Sequence, residues 1–289
     1  MAITLPPGSE HGLRSRPDPS GGGLYRSRGP GRVGRVALSL SLALWFLLPL
    51  VPVALWMFAD RWSYPDLLPT AWGSTGVRAA FDQGAVAAYI TSFVLGSAVG
   101  LIATPLGALA ARALVFHRVR GANWLTGLLF APIALPAFAV VLGLNVILLR
   151  LQIPSLFGVG LVLVVYALPY TTFTMRAAYG AYDIGFEEEA RLLGASRMHV
   201  MTRIHLPLIA PALARAAFLG FLVGWSDYLV TLLVGGGQLV SVPLLVASSA
   251  AGTGNTSVTA VLSVTAILPP LILLLALERA GRHRRTGNE

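Results

Sequence analysis

The chain has 289 residues, 55% of them hydrophobic and only 11% charged, with 21 basic against 12 acidic side chains and a formal net charge of +9. A soluble domain averages about 25% charged residues, so a soluble globular domain is excluded and an integral membrane protein is indicated, in keeping with a mean hydropathy of +0.73. Cysteine is absent, which rules out disulfides and thiolate metal sites, and every basic residue is an arginine.

Residues 1–35 are rich in Pro, Gly, Ser and Arg and too poor in apolar side chains to bury a core, so they read as a disordered basic tail. A helix needs about 20 apolar residues to cross the hydrocarbon core, and six stretches qualify: 36–58, 84–111, 122–149, 151–175, 206–234 and 255–277. The first is too long for a cleavable signal peptide and has no small-residue cleavage site, so it reads as a retained helix. Between the first two spans, residues 59–83 carry Trp62, Tyr64 and Trp72. Such amphipathic rings suit the headgroup region, and a docking surface for an external partner is the other reading. Pro49, Pro52, Pro105, Pro132, Pro136, Pro169, Pro211, Pro269 and Pro270 fall inside the spans. Kinked helices at membrane depth are tolerated where neighbouring helices or water satisfy the freed backbone groups, which favours a moving transport core over an inert anchor bundle.

Six spans place both termini on one side, and the arginines say which. The N-terminal tail, the second-to-third and fourth-to-fifth connections and the tail at 278–289 hold seventeen arginines, whereas Arg61, Arg78 and Arg150 stand alone on the other side. The positive-inside rule puts the crowded side in the cytoplasm. The +9 is therefore a topology signal rather than a nucleic-acid footprint.

The passage EEEARLLGASRMHVMTRIHLPL, residues 187–208, is unusually polar for this chain. Phe186, Ala190 and Leu193 recur at helical spacing and predict one apolar stripe. Glu187, Glu188 and Glu189 fall in the first turns, where negative charge suits the helix dipole. Gly194 has the position of a C-terminal cap, and Ser196 can cap a second helix bearing Val200, Met201, Ile204 and Leu208. Pro207 is placed at the entrance of the fifth span, where its missing N–H costs little. A cytoplasmic helix–turn–helix is expected, either resting on lipid headgroups or docked in a groove of a partner.

The passage resembles the cytoplasmic signature loop of permease subunits of ATP-binding-cassette (ABC) importers with the type I fold. The family pattern runs Glu-Ala-Ala, three residues, Gly, nine residues, then Ile, any residue, Leu-Pro. It falls without a gap on Glu188, Glu189, Ala190, Gly194, Ile204, Leu206 and Pro207, with glutamate at 189 where alanine is usual. Residues 84–277 resemble the core permease domain, and GWSDYLVTLLVGGGQLVSVPLL with the Pro-Pro of the last span is similar to permeases for polyamines, thiamine and ferric iron. The resemblance implies an all-α polytopic inner-membrane protein, six helices with a coupling loop at about 183–207. It also implies partners: ATPase subunits that carry the ATP and magnesium, a second permease protomer, identical or paralogous, and an extracytoplasmic solute-binding protein. Gly-rich phosphate loops are absent from this chain, so it is expected to be no enzyme, to need no cofactor of its own and to leave ATP hydrolysis to a separate subunit.

Inside the spans, Asp227 is the sharpest residue. A carboxylate near a helix centre costs about 2.5–3.5 kcal/mol on insertion scales, so it either lines a translocation path or packs against backbone and hydroxyl groups. Asn145 either bonds across helices or touches solute. Arg215 is expected to snorkel toward the cytoplasmic surface, and Gly235, Gly236 and Gly237 to form a tight turn. The five histidines show no metal-ligand spacing, and no nucleophile–base set stands out. An ion-coupled secondary transporter and a membrane scaffold without a solute path are the alternative functions.

Overall fold

A computed structural model describes residues 32–63, 65–117 and 120–286. The expected tail up to residue 31, Tyr64 and Arg118 lie outside the described residues. The chain divides into two compact units, Met1–Pro49 and Leu50–Glu289. The first contributes α1 (Arg32–Leu47), whose apolar side chains from Val36 to Leu47 are exposed around the helix, the pattern of a helix that meets lipid rather than water.

The second unit begins with α2 (Leu50–Met57), so the first predicted span is interrupted at Leu48 and Pro49. A short ribbon follows, β1 (Ala59–Arg61) antiparallel to β2 (Ala71–Trp72), and then α3 (Thr75–Asp82). This ribbon was not foreseen. Trp62 donates its indole N–H to the Asp66 carbonyl at 2.8 Å and lies 5.0 Å from the Trp56 ring.

The core is three helices: α4 (Ala85–Phe116), α7 (Ser155–Gly180) and α10 (Leu206–Trp225). Leu95 and Val99 of α4 cluster with Val159, Val162 and Leu163 of α7, while Ala108 and Ala111 cluster with Met175 and Tyr179. The two helices thus run parallel. Phe221 and Trp225 of α10 pack near Ala85 and Ala88, and Ile209 and Ala212 near Ala108 and Ala111, so α10 runs against them. At the α4–α10 crossing glycines face glycines. A Cβ on Gly220 would lie 2.9 Å from the Gly100 Cα, and one on Gly224 would lie 2.8 Å from the Gly96 Cα. Helices in lipid gain little from the hydrophobic effect, and small residues let their backbones approach for dispersion contact.

Because α4 and α7 are parallel, the chain between them must return the length of the bundle. It does so as α5 (Ala122–Ala134) and α6 (Ala137–Arg150), bent by 101°. The continuous span expected at 122–149 is therefore corrected to a broken one. Leu135 is forced into an extended conformation (φ −90°, ψ 151°) by the proline after it, and Pro136 has no N–H to continue the helix. The fifth predicted span also stops early, at Trp225, and the short α11 (Leu229–Leu233) follows after a turn. The predicted outer loop near 235–255 holds a further helix, α12 (Val242–Ala251), whose first amide donates to the buried Ser92 hydroxyl of α4 at 2.8 Å. Gly236 and Gly237 have φ of 57° and 78°, and the Gln238 amide closes the tight turn on the Gly235 carbonyl. The last span is α13 (Thr256–Ala266) followed by α14 (Leu268–Thr286).

Among the described residues, four helices are long and apolar enough to cross a membrane: Ala85–Phe116, Ser155–Gly180, Arg197–Trp225 and Thr256–Gly281. Counting α1 with α2 and α5 with α6 as broken spans brings the number to six.

Candidate functional site

The passage singled out in the sequence lies at the shared end of α4, α7 and α10. It starts with α8 (Gly185–Leu192). The Asp183 carboxylate accepts from the Gly185 amide at 2.8 Å as the chain turns into this helix. Gly194 ends it with φ +89°; its amide donates to the Arg191 carbonyl and the Ala195 amide to the Ala190 carbonyl, both at 3.0 Å. This pair of reversed bonds is the Schellman arrangement, which needs a left-handed residue at that one position. The Ser196 hydroxyl accepts from the His199 amide at 3.3 Å, capping α9 (Arg197–Val200).

The second short helix does not stop before the fifth span, as the sequence suggested. It passes through a π turn (Met201–His205), in which the Leu206 amide reaches back to the Met201 carbonyl, straight into α10. Pro207 explains the wide turn. It cannot donate to the carbonyl one turn back and its ring crowds that carbonyl, and one extra residue in the preceding turn relieves both problems. The second helix of the loop and the span are consequently one helix, Arg197–Trp225.

The expected apolar stripe faces outward, open to the headgroup surface or partner groove that the sequence reading allows. Phe186, Leu192 and Leu193 are exposed, the latter two at 88% and 89%, and Met198 is exposed at 72%. Glu188 and Glu189 face out as well, and Ala190 is half-buried. The residue that turns inward is Glu187, whose side chain is only 4% exposed. Its Oε2 accepts from Arg112 Nη2 at 2.9 Å, and its Oε1 accepts from the Tyr182 hydroxyl at 3.0 Å and lies 2.9 Å from His205 Nδ1. Arg191 stands one turn on, 3.7 Å from Oε2. Arg112 Nη1 lies 2.9 and 3.0 Å from the two ring nitrogens of His205, and the Tyr179 hydroxyl lies 3.2 Å from Nε2. With Nδ1–H donating to the carboxylate, Nε2 is left as the acceptor for Arg112 Nη1 or the Tyr179 hydroxyl, and the approach of Nη1 to Nδ1 is then no hydrogen bond. Phe116, Tyr179 and Tyr182 close the cluster, with Tyr179 stacked on the imidazole.

Burial opposes the charged form of Glu187, but the Arg112 and Tyr182 hydrogen bonds and the guanidinium charge outweigh it and hold the carboxyl below the usual range. Burial and the same carboxylate push the Tyr182 phenol well up. This cluster escaped the sequence reading, since Glu187 looks like one of three equivalent glutamates and His205 lies 18 residues away. The signal available was that 187 and 205 fall at the two ends of the polar passage, beside Arg112 at the end of an apolar span.

Asp227 and Asn145, selected from the sequence inside the spans, lie around α11. Asp227 accepts from the Val230 and Thr231 amides at 3.2 and 2.8 Å and from the Thr231 hydroxyl at 2.9 Å, so it caps the start of α11. Asn145 of α6 donates to the Leu233 carbonyl at 3.1 Å and holds the other end. The two do not touch each other by any hydrogen bond. Arg215 is exposed, with Nε on the Pro211 carbonyl one turn nearer the loop. Ile204 is half-buried, whereas Leu206 and Pro207 are exposed. No group of three or more His, Asp and Glu side chains suited to a metal occurs among the described residues.

Comparison with known proteins places this architecture. Residues 103–283 match the family described as binding-protein-dependent transport system inner membrane component. The chain is 32% identical over 164 residues to a putative ABC transporter permease from Streptomyces antibioticus, covering 55% of this chain and 70% of that one. It is 29% identical over 187 residues to the spermidine/putrescine transport permease PotC of Escherichia coli K12, covering 64% and 70%. It is 24% identical over 262 residues to the putative 2-aminoethylphosphonate transport permease PhnV of Salmonella typhimurium, covering 90% and 97%. Its fold is that of a bacterial ABC transporter that imports alginate (TM-score 0.59, 19% identity, 86% of this chain and 95% of that one), also solved with its pentasaccharide-bound periplasmic protein (TM-score 0.61, 15% identity, 86% and 94%). The chain belongs to the family of binding-protein-dependent transport system inner membrane components and is a permease subunit of an ABC importer.

Proposed function

We propose that residues 183–207 couple this permease to separate ATPase subunits, which carry the ATP and magnesium and do all of the hydrolysis. One observation carries the reading. Phe186, Leu192, Leu193 and Met198 flank the Gly194 turn as an exposed apolar knob at the end of the bundle, and the helix that follows this turn is continuous with the membrane-spanning α10. Apolar side chains exposed together mark a surface that a partner covers. Glu188 and Glu189, exposed beside the knob, supply charge for that contact. The arginine distribution puts this end and both termini in the cytoplasm. A second permease protomer completes the pathway, and an extracytoplasmic binding protein delivers the solute to the opposite face; the alginate transporter's structure in complex with a pentasaccharide-bound periplasmic protein supports this. Asp227 and Asn145 hold α11 beside the path.

The element communicates by having different contacts in two states of the ATPase pair. Gly194→Asp strains the left-handed turn and Glu188→Lys reverses the surface charge. Each is expected to abolish solute uptake while membrane insertion stays normal. The tagged chain, extracted in mild detergent, is expected to bring down an ATPase with nucleotide-binding motifs. Normal uptake by both variants, or recovery of the chain alone under conditions that keep known importers intact, overturns the reading.

A further inference from the structure

The loop has two surfaces with different chemistry. Its outward surface carries Phe186, Leu192, Leu193, Met198, Glu188 and Glu189. Its inward surface is built around one side chain, Glu187. A buried carboxylate is tolerated only when its charge and both oxygens are matched, and here they are matched by groups from every neighbouring element. Arg112 comes from the end of α4, Tyr182 from the turn after α7, Arg191 from the next turn of α8, and His205 from the π turn that opens α10. Tyr179 of α7 holds the other side of the imidazole.

We infer that Arg112, Glu187 and His205 form a latch that fixes the loop rigidly to the ends of α4, α7 and α10, and that these three are positioning residues for transport. The inference rests on the coupling role proposed for residues 183–207. It divides the glutamates: Glu188 and Glu189 address the ATPase, whereas Glu187 addresses the membrane helices. Two features make a latch necessary. The loop is joined to α7 by a turn of only four residues, 181–184, and α8 is joined to the next helix by another turn of four, 193–196. Force applied to the apolar knob would swivel α8 about these points unless α8 were tied from inside. An ion pair within a hydrogen-bonded cluster resists such rotation better than apolar packing, because its strength falls sharply as donor angles and distances change.

The test uses the complete importer, with its own ATPase and binding protein, in proteoliposomes, and reads solute moved per ATP hydrolysed. Glu187→Ala and Arg112→Met are expected to retain the ATPase subunits on purification and to keep hydrolysing ATP. Solute moved per ATP is expected to fall at least tenfold in each. The exchanged pair, Arg112→Glu with Glu187→Arg, is expected to recover part of the ratio. Tyr182→Phe removes a single hydrogen bond and leaves the ion pair, so it serves if the stronger variants fail to insert; a threefold or greater fall is expected. An unchanged ratio in Glu187→Ala, or in Tyr182→Phe if only that variant assembles, overturns the latch while leaving the coupling loop standing. Failure of the wild-type chain to retain an ATPase instead overturns the coupling reading and the latch with it.

Discussion

Alanine at Gly224 and alanine at Gly160 should move stability in opposite directions, although both glycines lie within or beside long apolar spans. A Cβ on Gly224 would stand 2.8 Å from the Gly96 Cα and 3.0 Å from the Gly96 nitrogen and the Leu95 carbonyl oxygen. All three are backbone atoms, so no rotamer change relieves the clash. Carbon pairs are most favourable at about 3.5–4.0 Å, and α10 must therefore retreat from α4 by about 0.7–1 Å. A gap of that size forfeits roughly a quarter to a half of the attraction across the contact, and overpacking of this kind costs about 1–3 kcal/mol. Helix propensity returns about 0.8–1 kcal/mol for Gly→Ala. A Cβ on Gly160 meets nothing within 4 Å, so there only the propensity gain remains. The two variants should differ by about 1–3 kcal/mol, with Gly224→Ala the weaker. Reversible unfolding in mixed detergent micelles, followed by circular dichroism, measures the difference. Equal shifts of the same sign would refute the claim that backbone contact sets the α4–α10 crossing.

Asp227→Ala removes the acceptor that caps α11 and should cost about 0.5–2 kcal/mol, read as a lower midpoint in the same unfolding assay. Asn145→Leu removes the bond to the Leu233 carbonyl and should cost less, about 0.6 kcal/mol, with solute uptake largely retained. Gly194→Ala places a side chain in the left-handed region and should cost about 1–2 kcal/mol, seen as faster hydrogen exchange at the Gly194 and Ala195 amides. The pH dependence of the loop follows from Glu187. Its carboxyl is depressed in the folded protein, so the stabilisation is complete above the unfolded value of about 4.3 and is lost as pH falls through the lower, folded value. Arg112, Tyr179, Tyr182, Arg191 and His205 face it from the surrounding elements. Exchange of the α8 amides, corrected for intrinsic rate, should rise below pH ~4 in wild type and show no such step in Glu187→Gln.

Hydropathy made the membrane class and the number of apolar segments legible, because lipid leaves the backbone few choices. Gly194 and Ser196 were legible for a similar reason: a left-handed cap and a hydroxyl cap are local demands, satisfied within six residues. The bend at Leu135–Pro136 was legible only as a proline among many. Whether a span kinks or folds through 101° is decided by the need to reach the start of α7, which no local window contains. The same holds for α12, whose pairing with Ser92 spans 150 residues. At the site, periodicity pointed to the Phe186–Ala190–Leu193 stripe but not to the side chain that α8 turns inward, which is Glu187. Arg112 and His205 sit at the inner face of the loop, and in that setting a carboxylate is worth more than a phenylalanine.

That division of α8 into an inward Glu187 and outward apolar side chains bears on how an importer loop can be both docked and movable. An apolar inner face would seal the loop onto the bundle but would permit sliding, since such contact is not directional. It would also leave no apolar surface to face the partner, because α8 is eight residues long and has few side chains to divide. Turning Glu187 inward solves both problems. The inner face becomes a fixed, directional joint to three helices, and Phe186, Leu192 and Leu193 are freed for the outer face. The continuous helix from Arg197 to Trp225 then extends that joint into the membrane, as far as the glycine crossing with α4, where the two backbones meet without intervening side chains. On the proposed reading, force that passes the Gly194 turn enters this helix through the π turn at Met201–His205, ahead of Pro211. That turn carries His205 of the latch, so the first place where the lever could flex is held by the same cluster that orients the loop.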